Sequence, residues 1–319
     1  MPSEFDLIAR YFDRPARHAM LGIGDDAALI RPSPGMTLAV SADMLVVGRH
    51  FFPDTDPERL GHKSLAVNLS DLAAMGALPK WALLSIALPE ADEAWLAEFS
   101  KGFFALADRF GVDLVGGDTT RGPLNISVTI LGEVVPGQAL RRDGARAGDD
   151  IWVSGELGGA ALGLRHWQRE CVLAPDEAAH CLARLERPEP RVALGLALQG
   201  IAHAAIDVSD GLLADLGHIL ERSQLGAELE LAAVPTAAAL AGHLPDALVR
   251  DCVLAGGDDY ELCFTAPPSR RDDVLAAAAG AGVSVARVGR VTAEPGARTM
   301  GQDGRLLDMG LTGFDHFTA

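Results

Sequence analysis

"AAIDVSDGLLADLG", residues 204–217, runs an apolar strand into an amphipathic helix and sets Asp207, Ser209 and Asp210 at the junction. Strand-to-helix junctions are where open α/β folds place their ligands. The same device recurs along the chain. "GIGDDAA" at 22–28, "SADML" at 41–45, "NLSDLAAMG" at 68–76 and "LVGGDTT" at 114–120 each put aspartate beside or inside an apolar element.

Working outward from these stretches, strand and helix signals alternate. "MTLAVSA" (36–42) reads as a strand ending just before Asp43, and 57–76 as a helix opened by Pro57 and closed by Gly76. The apolar run "WALLSIALP" (81–89) predicts a buried strand. Residues 92–111 place Trp95, Phe99, Phe103, Leu106 and Phe110 at helical spacing, with Asp92 as N-cap and Gly111 past the end. Strands "VDLVGG" and "LNISVTILGEVV" follow, joined by "DTTRGP". The basic stretch "GQALRRDGARAGDD" (137–150) then breaks the pattern and is the candidate boundary, or else a long functional loop. Beyond it come strand "IWVSG", helical segments to about residue 202, strand "AAIDVS" and its helix. Strands "AELELA", "YELCFTA" and "VSVARVGRV", with a helix near 270–281, complete the pattern. The expectation is two α/β domains, 1–137 and 138–319, in keeping with a length of 319 residues.

Hydrophobic residues form 49% of the chain, enough for a sizeable core. The net charge of −17 gives no attraction to nucleic acid or to an anionic membrane surface. Cys171, Cys181, Cys252 and Cys263 form no C-x-x-C, so neither a zinc site nor a disulfide framework is expected and a reducing cytoplasm is the default. The N-terminal "MPSEFDLIARYFDR" lacks the apolar core of a signal peptide. The greasiest stretch, 274–291, carries Arg287 and Arg290 and falls short of the ~20 apolar residues of a membrane span.

The familiar catalytic motifs are missing. There is no Walker A loop, no H-E-x-x-H and no G-x-S-x-G, and "GIGDDA" lacks the third glycine of a dinucleotide fingerprint. Aspartate is what remains. Asp25 and Asp26 follow glycines, Asp43 and Asp118 follow apolar runs, and Asp207 and Asp210 bracket the opening junction. Asp71 sits inside a helix among Leu69, Leu72 and Ala73, on one stripe with Ser64 and Asn68. Each has an ordinary alternative: Ser209 or Asp210 as a helix cap, Asp25 and Asp26 as turn formers, Asp71 on a solvated face, Asp118 shaping a hairpin. Together they suit hard cations, Mg²⁺ above all, which takes one or two carboxylates plus phosphate oxygens. Arg141, Arg142 and Arg146 then offer phosphate or nucleotide contacts, and equally a solvated basic linker.

"GIGDDAA", "NLSDLAAMGA", "GGDTTRGP", "IDVSDGLLADLGHI" and "GGDDYELCF", in this order, resemble the thiamine-monophosphate kinase family. That family lies in the superfamily of aminoimidazole-ribonucleotide synthetase, and the likeness runs from "EFDLIARYF" to "GFDHF". The resemblance implies an α/β (α+β) two-domain fold whose N-terminal sheets pair into a barrel across a homodimer, with a C-terminal α/β domain completing the active site. It implies ATP and thiamine monophosphate as substrates and several Mg²⁺ ions. Its metal ligands fall on Asp26, Ser41, Asp43, Asp71, Asp118, Asp207 and Asp210. Its nucleotide contacts fall on Gly117, Asp118, Arg142 and Ser209, and its substrate contacts on His50, Asp258 and Phe314. Three positions depart from the family pattern. Ala42 stands where Thr or Ser is usual, Asp258 where Glu is common, and Phe314 where Trp or Tyr is frequent.

The expected chemistry is direct in-line phosphoryl transfer, with no covalent nucleophile, because the acceptor is already an ionised phosphate monoester. Positioning and electrostatic stabilisation carry such a reaction. Within the superfamily, a selenophosphate synthetase would show a reactive residue near its N-terminus, yet no cysteine precedes Cys171. A hydrogenase-maturation relative would end in cysteine, whereas this chain ends "DHFTA". Aminoimidazole-ribonucleotide synthetase matches two of the motifs less well. A two-metal phosphohydrolase and a nucleotide-sensing protein are the alternatives outside the superfamily.

Overall fold

Ser3 opens the first helix, α1 (Glu4–Tyr11), through a reciprocal cap in which Asp6 N–H donates to Ser3 Oγ and Ser3 N–H to the Asp6 carboxylate. In this computed structural model, which describes residues 2–241, 246–300 and 306–307, the chain divides into two units. One comprises residues 1–72 and 77–137, the other 73–76 and 138–319.

In the first unit a short hairpin, β1 (Ala19–Leu21) and β2 (Leu29–Ile30), carries the "GIGDDAA" loop. Then follow β3 (Thr37–Val46), α2 (Pro57–Ala74), β4 (Leu78–Leu88), α3 (Glu93–Phe110), β5 (Asp113–Arg121) and β6 (Asn125–Val134). Asp92 caps α3 by accepting from Ala94 and Trp95 N–H, and Gly111 ends it in the left-handed conformation. Phe99 and Phe103 on its inner face are fully buried, worth about 1.5–3 kcal/mol each. Helices α2 and α3 cross at Gly61 and Gly102, where an added Cβ would stand 2.0 Å from Phe99 O and 1.8 Å from Glu58 O. Only glycine lets the two backbones come that close.

The strands form a sheet in the order β3-β6-β4-β5, antiparallel except for the β4/β5 pair. Two expectations are corrected by it. β3 continues through Asp43 to Val46, because ten residues of β6 pair with it. Likewise β5 runs through Asp118 to Arg121 alongside β4. Both aspartates therefore lie within strands and not at strand ends.

The second unit contains β7 (Asp150–Ser154), α4 (Gly159–Trp167), α5 (Pro175–Glu186), α6 (Val192–Ala197), β8 (Ala204–Val208) and α7 (Leu212–Ser223). It continues with β9 (Gly226–Glu230), α8 (Asp246–Leu254), β10 (Glu261–Ala266), α9 (Arg271–Ala281), β11 (Val285–Thr292), β12 (Gly296–Met300) and β13 (Leu306–Leu307). Its sheet order is β13-β12-β9-β11-β7-β10-β8, and among the described residues only β12/β9 is parallel. Mostly antiparallel sheets in both units make this the α+β form of the class. Ile151, Val153, Ile206, Val208, Leu216 and Val288 anchor the core of this unit. Among the described residues, no helix is long and apolar enough to cross a membrane.

Candidate active site

A cleft of about 690 Å³ opens in the first unit between α1, the β1–β2 loop and strands β4 and β5. That volume suits a small ligand of nucleotide size. Phe5 and Ile8 of α1, Phe12 at its C-cap, and Asp25, Asp26, Gly117 and Asp118 line it. Asp25, Asp26 and Asp118 are all exposed, so the rim is acidic. Gly117 has φ 147°, and a Cβ there would stand 1.7 Å from Leu84 O. The strand can therefore turn Asp118 toward the cleft only with glycine at 117. Ser85, paired in register with Asp118, and Thr129 of β6 also line the cleft.

A second group forms where β3 meets α2. Ser41 Oγ donates to Asp71 Oδ2 at 2.5 Å, and Asp43 N–H donates to Asn68 Oδ1 at 3.1 Å. The stripe Ser64, Asn68 and Asp71 thus turns onto β3 and not toward bulk water. Asn68 and Ser64 are both 1% exposed, and Asn68 Nδ2 returns a hydrogen bond to Ser64 O. In register, Asp43 pairs with Val128, and Val128 with Leu84, which puts Asp43 on the buried face. Asp118 stands with Ser85 on the exposed one. His50 Nδ1 accepts from Val46 N–H at 3.0 Å, which places the ring proton on Nε2, and its carbonyl accepts from Lys63 Nζ.

The second unit gathers the remaining residues around the β8–α7 loop. Asp207 is buried within β8, and Ser209 and Asp210 follow it. Neither caps α7, whose N-cap is Gly211 without a side-chain hydrogen bond. Instead Asp215, on the first turn of the helix, accepts from the N–H groups of both Ser209 and Asp210. Burial pushes the Asp215 carboxyl up to about 7, against the opposing pull of those N–H groups and of the Arg142 guanidinium. Arg142 begins a short 3-10 turn, 142–144, whose Arg142 carbonyl accepts from Ser223 Oγ of α7.

The "GGDDYE" stretch closes over this loop. Asp258 N–H donates to Ser209 O at 2.9 Å and Tyr260 N–H to Val208 O at 2.8 Å. Both residues have positive φ, 66° and 51°. Next to them, Asp259 is fully buried and accepts from Gly158 N–H at the start of α4, and burial pushes its carboxyl up to about 7. Glu261 ties the stretch down by accepting from Ser154 Oγ, Arg184 and Arg191. Phe314 lies outside the described residues.

Asp215 and Ser85 were not singled out from the sequence, yet both left a signal. Asp215 is an acid among Leu212, Leu213 and Leu216, the same oddity that marked Asp71, and Ser85 interrupts the apolar run 81–89. Among the described residues, no three His, Cys, Asp or Glu side chains converge on one point. Every donor is nevertheless a hard oxygen, and the ordinary demand of Mg²⁺ for one or two carboxylates plus phosphate oxygens and water is met by Asp26 or Asp118 at the cleft and by Asp71 beside Ser41.

A pair of α+β units of this kind, with aspartates distributed over a hairpin loop, two strands and a strand–helix junction, defines an AIR synthase related protein. The N-terminal domain model of that family matches residues 24–134 and the C-terminal domain model residues 146–301. Thiamine-monophosphate kinase of Escherichia coli (strain K12) is 46% identical over 318 residues, covering 98% of each chain. The crystal structure of thiamine-monophosphate kinase from Stenotrophomonas maltophilia K279a superposes with TM-score 0.85 at 50% identity, covering 94% of this chain and 95% of that one. AaThiL complexed with AMPPCP and TMP superposes with TM-score 0.77 at 33% identity over 92% of each chain. The chain belongs to the thiamine-monophosphate kinase family.

Proposed function

We infer that the protein transfers the terminal phosphoryl group of ATP to thiamine monophosphate, giving thiamine diphosphate and ADP. The observation that carries this reading is the acidic, nucleotide-sized cleft bounded by Asp26, Gly117 and Asp118. A triphosphate entering such a rim is repelled unless cations come with it. Mg²⁺ bound there would neutralise the phosphates and align them. Asp26 and Asp118, Asp43 and Asp71 with Ser41, and Asp207 with Asp210 are the residues that would hold it.

The protein's own part is to position two anions. The acceptor phosphate needs no strong base, so no side chain has to form a covalent intermediate. Gly117 and Asp118 with Ser209 and Arg142 serve the nucleotide. His50, Asp258 and Phe314 serve the thiamine ester, with His50 Nε2–H as a donor. The proposed roles assign ATP and Mg²⁺ binding to residues 1–137 and completion of the site to 138–319.

The reading includes a homodimer. β3 is an edge strand among the described residues, and Val40 and Met44 on it are 61% and 55% exposed. β6 and β4 lie between β3 and β5, which separates the backbones at Asp43 and Asp118 by about 14 Å at ~4.8 Å per strand. Pairing β3 with a second chain would cover the apolar residues and close the sheet into a barrel. Four free cysteines suit a reducing cytoplasm.

The test is to incubate the protein with Mg²⁺, ATP and thiamine monophosphate and resolve nucleotides and thiamine esters over time. Equimolar ADP and thiamine diphosphate, lost in Asp210→Asn, is the expected outcome. ADP with free phosphate and no thiamine diphosphate would overturn the kinase and indicate a phosphohydrolase.

A further inference from the structure

We propose that Asp215 is the positioning residue of the phosphate-facing loop 207–210, a role that rests on the kinase reading above. Oδ2 of its carboxylate takes two hydrogen bonds, from Ser209 N–H and Asp210 N–H, each at 3.0 Å. Asp215 is 2% exposed and sits on the first turn of α7, beyond the N-cap Gly211. An acid on a first turn ordinarily serves its own helix terminus. Here it reaches back past the N-cap to the two residues that precede it.

A second restraint meets the loop from the other side. Ser209 O accepts from Asp258 N–H, and Val208 O accepts from Tyr260 N–H. Both backbone groups of Ser209 are therefore held, one by Asp215 and one by the 256–260 stretch. Asp207 is fixed too, because β8 pairs with β10 and sets Asp207 opposite Leu262. With the main chain restrained at three points, the directions of the Ser209 and Asp210 side chains follow from the fold. A site that must align two phosphates gains from such preorganisation, since a displacement near 1 Å costs about 100-fold in rate. A carboxylate among Leu212, Leu213 and Leu216 is an expensive way to hold a loop. Its double acceptance from residues 209 and 210 accounts for its presence.

The experiment compares Asp215→Asn, which keeps an oxygen acceptor at this point, with Asp215→Leu, which fills the same space without one. Asp215→Leu is expected to raise the half-saturating Mg²⁺ concentration about 10-fold and to lower kcat about 100-fold, with KM for thiamine monophosphate within about 3-fold. Asp215→Asn is expected to bring both back to within about 5-fold of the parent protein. Unchanged Mg²⁺ saturation and kcat in Asp215→Leu would overturn the proposal. So would equal impairment of the two variants, which would make the charge, and not the acceptor, the operative property.

Amide exchange of the unsubstituted protein decides the point even if Asp215→Leu fails to fold. The Ser209 and Asp210 N–H groups should be protected as well as those in the middle of α7, and free exchange there would overturn the proposal. If the protein makes no thiamine diphosphate at all, the kinase reading fails, while the exchange measurement still reports on Asp215.

Discussion

Ser41 Oγ donates to Asp71 Oδ2 at 2.5 Å and so ties edge strand β3 to the buried helix α2. The bond orients a carboxylate that a helix interior would otherwise leave to its rotamers, and it puts two hard oxygens side by side. Asp71→Asn keeps the shape and the acceptor for Ser41 but removes the charge. Its kcat should fall about 100- to 1,000-fold, the scale of losing one preorganised electrostatic contact. Ser41→Ala should cost about 10-fold and raise the Mg²⁺ concentration needed for half activity. Steady-state rates across a Mg²⁺ titration check both, and a normal rate in Asp71→Asn would remove this residue from the proposed metal ligands.

Gly117→Ala should lose stability before it loses anything subtler. At φ 147° the new Cβ would meet Leu84 O at 1.7 Å, so β4 and β5 must part locally. A loss of about 2–4 kcal/mol is expected from strain and broken pairing. Thermal unfolding measures it. A melting temperature equal to that of the parent would show that the two strands accommodate the methyl group.

The elements legible in the sequence were those whose signals are local. Pro57, and the pair Asp92 and Gly111, announce their helices because caps act within one turn. The run 81–89 announces β4 because one face is buried through Ala82, Leu84, Ile86 and Leu88 while the other is apolar except at Ser85. What was not legible depends on partners distant in the chain. β3 passes Asp43 because β6, some 80 residues later, pairs with it through Val46. The same holds for β1 and β2, too short to show a period, and for the antiparallel order of the second sheet. In the candidate site, Asp26, Gly117 and Asp118 stood out as motif residues, and the cleft brings them to one rim. Thr129 and Asp215 enter through strand register and through a hydrogen bond to preceding N–H groups, neither of which a one-dimensional pattern displays.

The exposed edge of β3 makes the dimer testable without touching any proposed ligand. Replacing Val40 and Met44 by lysine puts charge where two apolar side chains would be covered, each worth about 1.5–3 kcal/mol when buried. The double variant should sediment as a monomer at concentrations where the parent sediments as a dimer. Its activity should fall with dilution in parallel, because the reading above makes the paired sheets part of the working enzyme. An active monomer would separate catalysis from pairing.

Asp259 gives the protein a pH dependence whose sign is set by burial. Its carboxyl is raised from the ordinary 3.8 to about 7, chiefly by desolvation, while Gly158 N–H and Arg184 oppose the rise. Below pH 3.8 the group is protonated in the folded and the unfolded chain alike, and it contributes no pH dependence. Between 3.8 and about 7 the unfolded chain releases the proton and the folded chain keeps it. The folded state then binds more protons, so stability falls as pH rises through this window. Above 7 the full penalty is in place, on the order of 4 kcal/mol. Asp259→Asn abolishes the titration and retains an oxygen to accept from Gly158 N–H. Whatever constant offset the substitution brings, the melting temperature of the variant relative to the parent should climb from pH 4 to pH 7 and level off above. At roughly 2–4 °C per kcal/mol the climb is several degrees, well within reach of a thermal scan. A difference that stays flat across that range would mean that Asp259 is already ionised in the folded protein, held so by Arg184 and the N-terminus of α4.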